Sequence, residues 1–209
     1  MLRRTMNLWP LITRLGDSAL LLPAAAFLFA WLLYRGEAAK AVLWLAVFGL
    51  ACALVVFSKL AFMGWGIGIP AWNFTGISGH SMMAGCLLPA LAAQLCGTRP
   101  RALAAAGLAG GLAVLVGLSR LAIGVHSPAE VYAGLALGLG ASAVFLGATR
   151  LRLPAFTPAV LALVLALGAA QGLTGVRAPT HHLLERLAAH LADRELPFQR
   201  GQWADQPDV

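Results

Sequence analysis

Acidic side chains are scarce in this sequence. Only eight of its 209 residues are Asp or Glu, and five of those lie beyond position 176, which leaves Asp17, Glu37 and Glu130 for the entire apolar body. Charged residues of both signs reach 11 %, against about 25 % in ordinary soluble domains. That shortage excludes a soluble globule. With 60 % hydrophobic residues and a mean hydropathy of +0.80, the chain reads as a polytopic membrane protein. Its net charge of +7 does not mark a nucleic-acid binder, because the basic residues sit singly or in pairs between apolar runs. The three cysteines, Cys52, Cys86 and Cys96, are an odd number and lie inside apolar runs. They form no disulfide framework and serve as small buried groups.

What the chain does have is long apolar runs. A helix needs about 20 mostly apolar residues to cross the hydrocarbon core. Six runs meet or approach that length: Ser18–Tyr34, Ala41–Phe57, Ser81–Cys96, Ala102–Leu118, Ala129–Thr149 and Pro158–Gly175. The fold expected is an all-α membrane bundle of about six transmembrane helices over residues 18–175. Residues 1–17 read as an interfacial segment anchored by Trp9, with Asp17 or Ser18 capping the first span. That first run is long, contains Pro23 and lacks a cleavage site, so it is a span and not a signal peptide. The Gly and Ala richness of residues 103–117 and 134–147 predicts helices that pack through small faces. Residues 176–209 form a tail whose short amphipathic helix carries Leu184, Leu187, Ala188 and Leu191 on one stripe. The closing GQWADQPDV reads as disordered.

Six spans put both termini on one face, together with Lys59, the GISGHS turn and the segment from Ser119 to Pro128. The opposite face has three short loops, Arg35 to Lys40, Arg99 to Arg101 and Arg150 to Arg152, and all are basic, which makes that face cytoplasmic. The arginine bias and the wealth of Ala, Leu and Gly suit a GC-rich bacterial genome. The localisation expected is a bacterial inner membrane, with the polar cluster on the periplasmic side.

That cluster comprises Lys59, His80, Arg120, His126 and Glu130, all expected at helix ends on one face. Ionisable residues within a membrane domain are costly and point to function. Two permanent cations and two histidines share one acid there, an imbalance that calls for an anion. Helices starting near Ser78 and Ser127 add free N–H groups and positive dipole ends, and phosphate suits such a site. Ser127-Pro128-Ala129-Glu130 also forms a capping box. Glu130 can hold that cap and still orient the adjacent His126 and raise its basicity.

These residues resemble the type 2 phosphatidic acid phosphatases, the lipid phosphate phosphatase superfamily. That family's pattern runs K-x6-R-P, then P-S-G-H, then S-R-x5-H-x3-D. Here its parts are Lys59, then Ser78-Gly79-His80, then Ser119-Arg120 with His126 and Glu130. The resemblance implies a membrane phosphatase in which His126 attacks phosphorus and forms a phosphohistidine, with Glu130 positioning its imidazole. His80 protonates the leaving oxygen and then activates water. Lys59, Ser78, Gly79, Ser119 and Arg120 hold the phosphoryl oxygens, and no metal or other cofactor is needed because the cations are built in. The substrate implied is a lipid phosphate or polyprenyl pyrophosphate drawn from membrane lipid; nothing names a protein partner. Three departures stand out: Gly66 and Ile67 replace Arg-Pro, Ile77 replaces Pro, and Glu130 replaces Asp. Trp72 and Asn73 lie near enough in sequence to line the pocket but replace no charge; an arginine from the tail could.

Two other readings use the same residues. Gly76-Ile77-Ser78-Gly79 is a literal G-x-S-G, which with His126 as base would suit a rhomboid-type intramembrane serine protease. That leaves Lys59, Arg120 and His80 without a task. A non-catalytic membrane protein binding anionic lipid would use the cationic pocket without turnover. His181, His182 and His190 lack metal-ligand spacing and belong to a solvated helix. Met82 and Met83 read as core filling, and Trp31, Trp44 and Trp65 as interface anchors.

Overall fold

The computed structural model describes residues 8–157 and 180–203, and regular structure there is helical apart from an isolated bridge between Ile69 and Phe74. A short α1 (Trp9–Arg14) leads into α2 (Ser18–Tyr34), followed by α3 (Ala38–Trp65), α4 (Gly79–Ala93), α5 (Arg99–Ala122) and α6 (Pro128–Ala148). The tail contributes α7 (Thr180–Leu191). The expected span Pro158–Gly175 lies outside the described residues. Asp17 caps α2 by accepting from the Ala19 N–H at 2.9 Å. Pro128 and the Ser127/Glu130 capping box start α6 as the sequence predicts.

Among the described residues, four segments are long and apolar enough to cross a membrane: Trp9–Tyr34, Ala38–Trp65, Arg99–Ala122 and Pro128–Ala148. Helix α4 differs from the run Ser81–Cys96 expected for it. It spans 15 residues, or about 22 Å at 1.5 Å per residue. Its place is the axis of the bundle, where Met82, Ala84, Cys86, Leu87 and Ala90 are fully buried. Helices α5 and α6 flank it, and the approach to α6 depends on glycine. A Cβ on Gly138 would run into the Met82 carbonyl, and one on Gly134 would lie 2.6 Å from the Ser78 carbonyl oxygen. Small faces thus bring the α4 and α6 backbones together. Trp44 belongs to the core and not to an interface belt. It is 1 % exposed, donates to the Ala25 carbonyl at 3.1 Å and stacks on Phe48.

The basic loops gather at one end of the bundle. Trp31 Nε1 donates to the Pro154 carbonyl, Lys40 Nζ to that of Arg152, and the Phe156 N–H to that of Gln94. The polar cluster lies at the other end, as expected.

The tail folds back onto α3 at that polar end. Leu184 and Ala188 of α7 pack with Leu60, Phe62 and Met63, and Gly64 faces the Ala188 carbonyl and Ala192 Cβ. Leu187 and Leu191, expected on the same stripe, are instead 43 % and 53 % exposed. The close approach at Gly64 centres the contact on alanines. Of the run expected to be disordered, Gly201 to Trp203 are held against α3, and residues 204–209 lie outside the described residues. Phe198 N–H donates to the Met63 carbonyl at 2.8 Å, and Trp203 meets Phe62 edge-on at 5.4 Å.

Replacing Gly138 by alanine forces α4 and α6 apart and is expected to destabilise the bundle by about 1–3 kcal/mol. In detergent the melting temperature of Gly138→Ala should fall by several degrees. Gly140→Ala, with nothing within 4 Å of its new methyl, should melt like the unmodified protein.

Candidate active site

Glu130 is the hub of the polar end. Its carboxylate is fully buried and surrounded by donors. Oε1 accepts from the Thr75 N–H and the Thr75 hydroxyl, each at 2.7 Å. Oε2 accepts from the Ser127 N–H at 3.1 Å and pairs with His126 Nδ1 at 2.7 Å. The capping geometry therefore does not compete with orientation of the imidazole; one oxygen serves both. With Nδ1 committed to Glu130, Nε2 is the ring nitrogen left for chemistry.

The GISGHS turn is fitted against α3. Gly76 has φ +137, and a Cβ there would lie 3.0 Å from Lys59 Cγ and 3.2 Å from its backbone nitrogen, so only glycine suits the position. The Ile77 N–H donates to Ser58 Oγ at 3.0 Å, which fastens the turn beside Lys59. Ser78 is the N-cap of α4 with no side-chain cap, so the first-turn N–H groups of α4 remain open to an anion. At α6 the capping box has already engaged its counterparts. Ser78 itself is fully buried, and its hydroxyl accepts from Ser81 at 2.9 Å.

A cavity of about 700 Å³ opens at this end. Lys59, Thr75, Gly79, His80, Arg120 and His126 line it, which brings five of the sequence-expected residues to one wall. Ser78, Ser119 and Glu130 stand behind that wall. Ser119, expected as a phosphate ligand, donates its hydroxyl to the Val116 carbonyl of its own helix at 2.6 Å. Much of the rest of the lining is apolar, from Leu22 of α2, Val55 and Met63 of α3, Met83 of α4, and Leu183 and Leu184 of α7, with Ser18, Thr180, Gln199 and Arg200 among the polar remainder. The cavity joins a cationic wall to a greasy one, which suits an amphiphilic anion.

Two contributions add to what the sequence displayed, the second giving a definite residue to the tail arginine expected there. Helix α1 is part of the site, because Arg120 Nη1 donates to Thr13 Oγ1 at 2.8 Å and Gly16 lies against His80. The larger one is Arg200. Its Nη2 donates to Glu130 Oε1 at 3.0 Å, to Oε2 at 2.8 Å and to Thr75 Oγ1 at 3.1 Å, while Nη1 reaches the Asn73 carbonyl at 2.8 Å. Trp72 is 65 % exposed, and neither it nor Asn73 lines the cavity. The available signal was Phe198 and Trp203, two aromatic residues bracketing Arg200 in an otherwise polar tail. Glu185 of α7 adds an acid to the cavity wall. Gly66, where the resemblance calls for arginine, ends α3 in a left-handed turn at φ +66 that suits glycine.

His126 sits in the turn between α5 and α6. Burial holds its imidazole below the ordinary range; the Glu130 hydrogen bond and charge oppose this, while the Lys59 and Arg120 charges add to it. The protease arrangement would join Ser78 to His126. Among the described residues no hydrogen bond does so, and each is engaged elsewhere.

The PAP2 superfamily model matches residues 65–154, which include His80, Arg120, His126 and Glu130. A Klebsiella pneumoniae protein described as an uncharacterized 22.5 kDa protein in the cps region is 39 % identical over 199 residues, 92 % of this chain and 95 % of that protein. Phosphatidylglycerophosphatase B of Bacillus subtilis (strain 168) is 33 % identical over 136 residues, 61 % of this chain and 67 % of that protein. The chain belongs to the PAP2 superfamily. No solved structure matches it. Superfamily membership and the phosphatidylglycerophosphatase relative support a lipid phosphatase.

A depressed imidazole stays neutral to lower pH than a free one. In protein carrying labelled histidine, the NMR titration of His126 should therefore have its midpoint below the ordinary 6.5. A midpoint at or above that value would contradict this balance of burial and charge.

Proposed function

We propose that this PAP2 protein hydrolyses a lipid-linked phosphate monoester or pyrophosphate through a phosphohistidine at His126. The observation carrying this reading is the 2.7 Å pairing of His126 Nδ1 with the buried Glu130, on the wall of a cationic, half-apolar cavity. The Nε2 lone pair attacks phosphorus; an N–P bond forms as the bond to the leaving oxygen breaks. His80, protonated, gives its proton to that oxygen. The neutral His80 then takes a proton from water, whose oxygen attacks phosphorus, and the N–P bond breaks to release inorganic phosphate and free His126.

Lys59, Arg120 and the Gly79 N–H neutralise the phosphoryl oxygens, since phosphoryl transfer relies on positioning and charge stabilisation. Ser78 retains its hydroxyl proton for donation to an oxygen drawn to the α4 N-terminus. The apolar wall takes the first part of the lipid chain. Named activity in the Bacillus relative favours including a phosphatidylglycerol phosphate among the substrates tried. The basic loops at the opposite end favour an inner-membrane protein with this site on the periplasmic side.

Phosphate release by purified protein from phosphatidic acid, phosphatidylglycerol phosphate and a polyprenyl pyrophosphate is the test. At least one should be hydrolysed, with the rate unchanged by EDTA. His126→Ala should abolish release, and Lys59→Met should lower it by about 10²–10³, the cost of removing a preorganised charge contact. Failure of well-folded protein to release phosphate from any of them would favour the lipid-binding reading.

A further inference from the structure

We propose that Arg200, carried in by the tail, is a positioning residue of the active site, its guanidinium clamping the Glu130 carboxylate so that His126 presents an unprotonated Nε2 to phosphorus. The role rests on the phosphohistidine reading, but the clamp itself can be measured without turnover.

The pattern that this sequence resembles carries three permanent cations, one lysine and two arginines. With Gly66 in the place of one arginine, the matching positions supply Lys59 and Arg120 only. Arg200 brings the number back to three, and it arrives at a definite address. A single nitrogen, Nη2, contacts both Glu130 oxygens, and the neighbouring Nη1 is received by the Asn73 carbonyl. Asn73 adopts a left-handed turn at φ +48, a conformation that Asn tolerates better than most residues.

Why this matters for His126 follows from the charges around it. Glu130 faces it from α6, Lys59 from α3, Arg120 from α5 and His80 from α4, with Arg200 acting through Glu130. Glu130 is fully buried, while the Arg200 side chain is 37 % exposed. The carboxylate therefore depends on hydrogen-bonded partners, and Arg200 is the permanently charged one in direct contact with both of its oxygens. Remove it, and the carboxylate draws a proton onto His126. An imidazolium has no lone pair at Nε2 and cannot attack.

Tethering the tail is a task that Arg200 does not carry alone. Phe198 and Trp203, on either side of it, hold the tail to Met63 and Phe62 of α3. This separates an electrostatic role from a mechanical one.

The experiment compares the unmodified protein with Arg200→Gln, Arg200→Lys and Trp203→Ala, reading the His126 NMR titration and the pH profile of kcat/KM. Arg200→Gln should raise the His126 midpoint by about one pH unit, as expected when a nearby like charge is removed and the carboxylate's own charge is left unopposed. Its kcat/KM should fall about tenfold below both midpoints and recover as pH rises. Arg200→Lys should shift less, and millimolar guanidinium should move Arg200→Gln back towards the unmodified protein. Trp203→Ala should lower the melting temperature and leave the midpoint in place. An unmoved midpoint in Arg200→Gln, with any loss of activity equal at every pH, would overturn the proposal and reduce Arg200 to a tether. Should the unmodified protein release no phosphate, the midpoints still decide whether the clamp exists, and the phosphatase reading fails separately.

Discussion

A carboxylate without access to water requires donors, and the architecture of the polar end is organised around supplying them to Glu130. They come from three separate stretches of chain: Thr75 before α4, His126 and Ser127 before α6, and Arg200 in the tail. Each stretch is held where it must be by an independent device. The GISGHS turn is fastened to Ser58, the α6 turn by its capping box, and the tail by its aromatic contacts with α3. The same carboxylate gives His126 its orientation. Stability and chemistry converge on one group, and a change at Glu130 reaches every element of the site.

The surrounding bundle provides the conditions under which that group has force. Glycines on α6 let it approach α4 closely enough that the Glu130 carbonyl receives the Ser78 N–H at 3.1 Å. The start of α4, with its open N–H groups, is thereby fixed relative to His126. Low dielectric then strengthens each contact with phosphate and penalises any that is missing. A cavity with a cationic wall and an apolar wall follows from setting polar helix ends against the faces of α2, α3 and α7.

Much of this was legible in the sequence, because the signals were local. Apolar runs located α2, α5 and α6 to within a few residues, and Ser127-Pro128-Ala129-Glu130 announced its cap. The S-G-H and S-R-x5-H patterns brought four residues to the cavity lining, and Lys59 made the fifth. What escaped depends on distance along the chain. Nothing local to α7 says that Gly64 will draw its alanines against α3 and leave Leu187 and Leu191 of the same stripe exposed. The missing charge at Gly66 points to an arginine from the tail, but that it is Arg200 and that it grips Glu130, 70 residues away, no periodicity says.

That separation also orders events as the chain is made. Glu130 enters the membrane domain with α6 well before Arg200 exists. During that interval the capping N–H groups and Thr75 can receive it, but no permanent cation touches it. An ionised carboxylate in that setting resists enclosure, and a protonated one loses the donors' attraction. The ring of donors around Glu130 is therefore complete only once the tail lies on α3. The part of the molecule that looks most like an appendage completes its core.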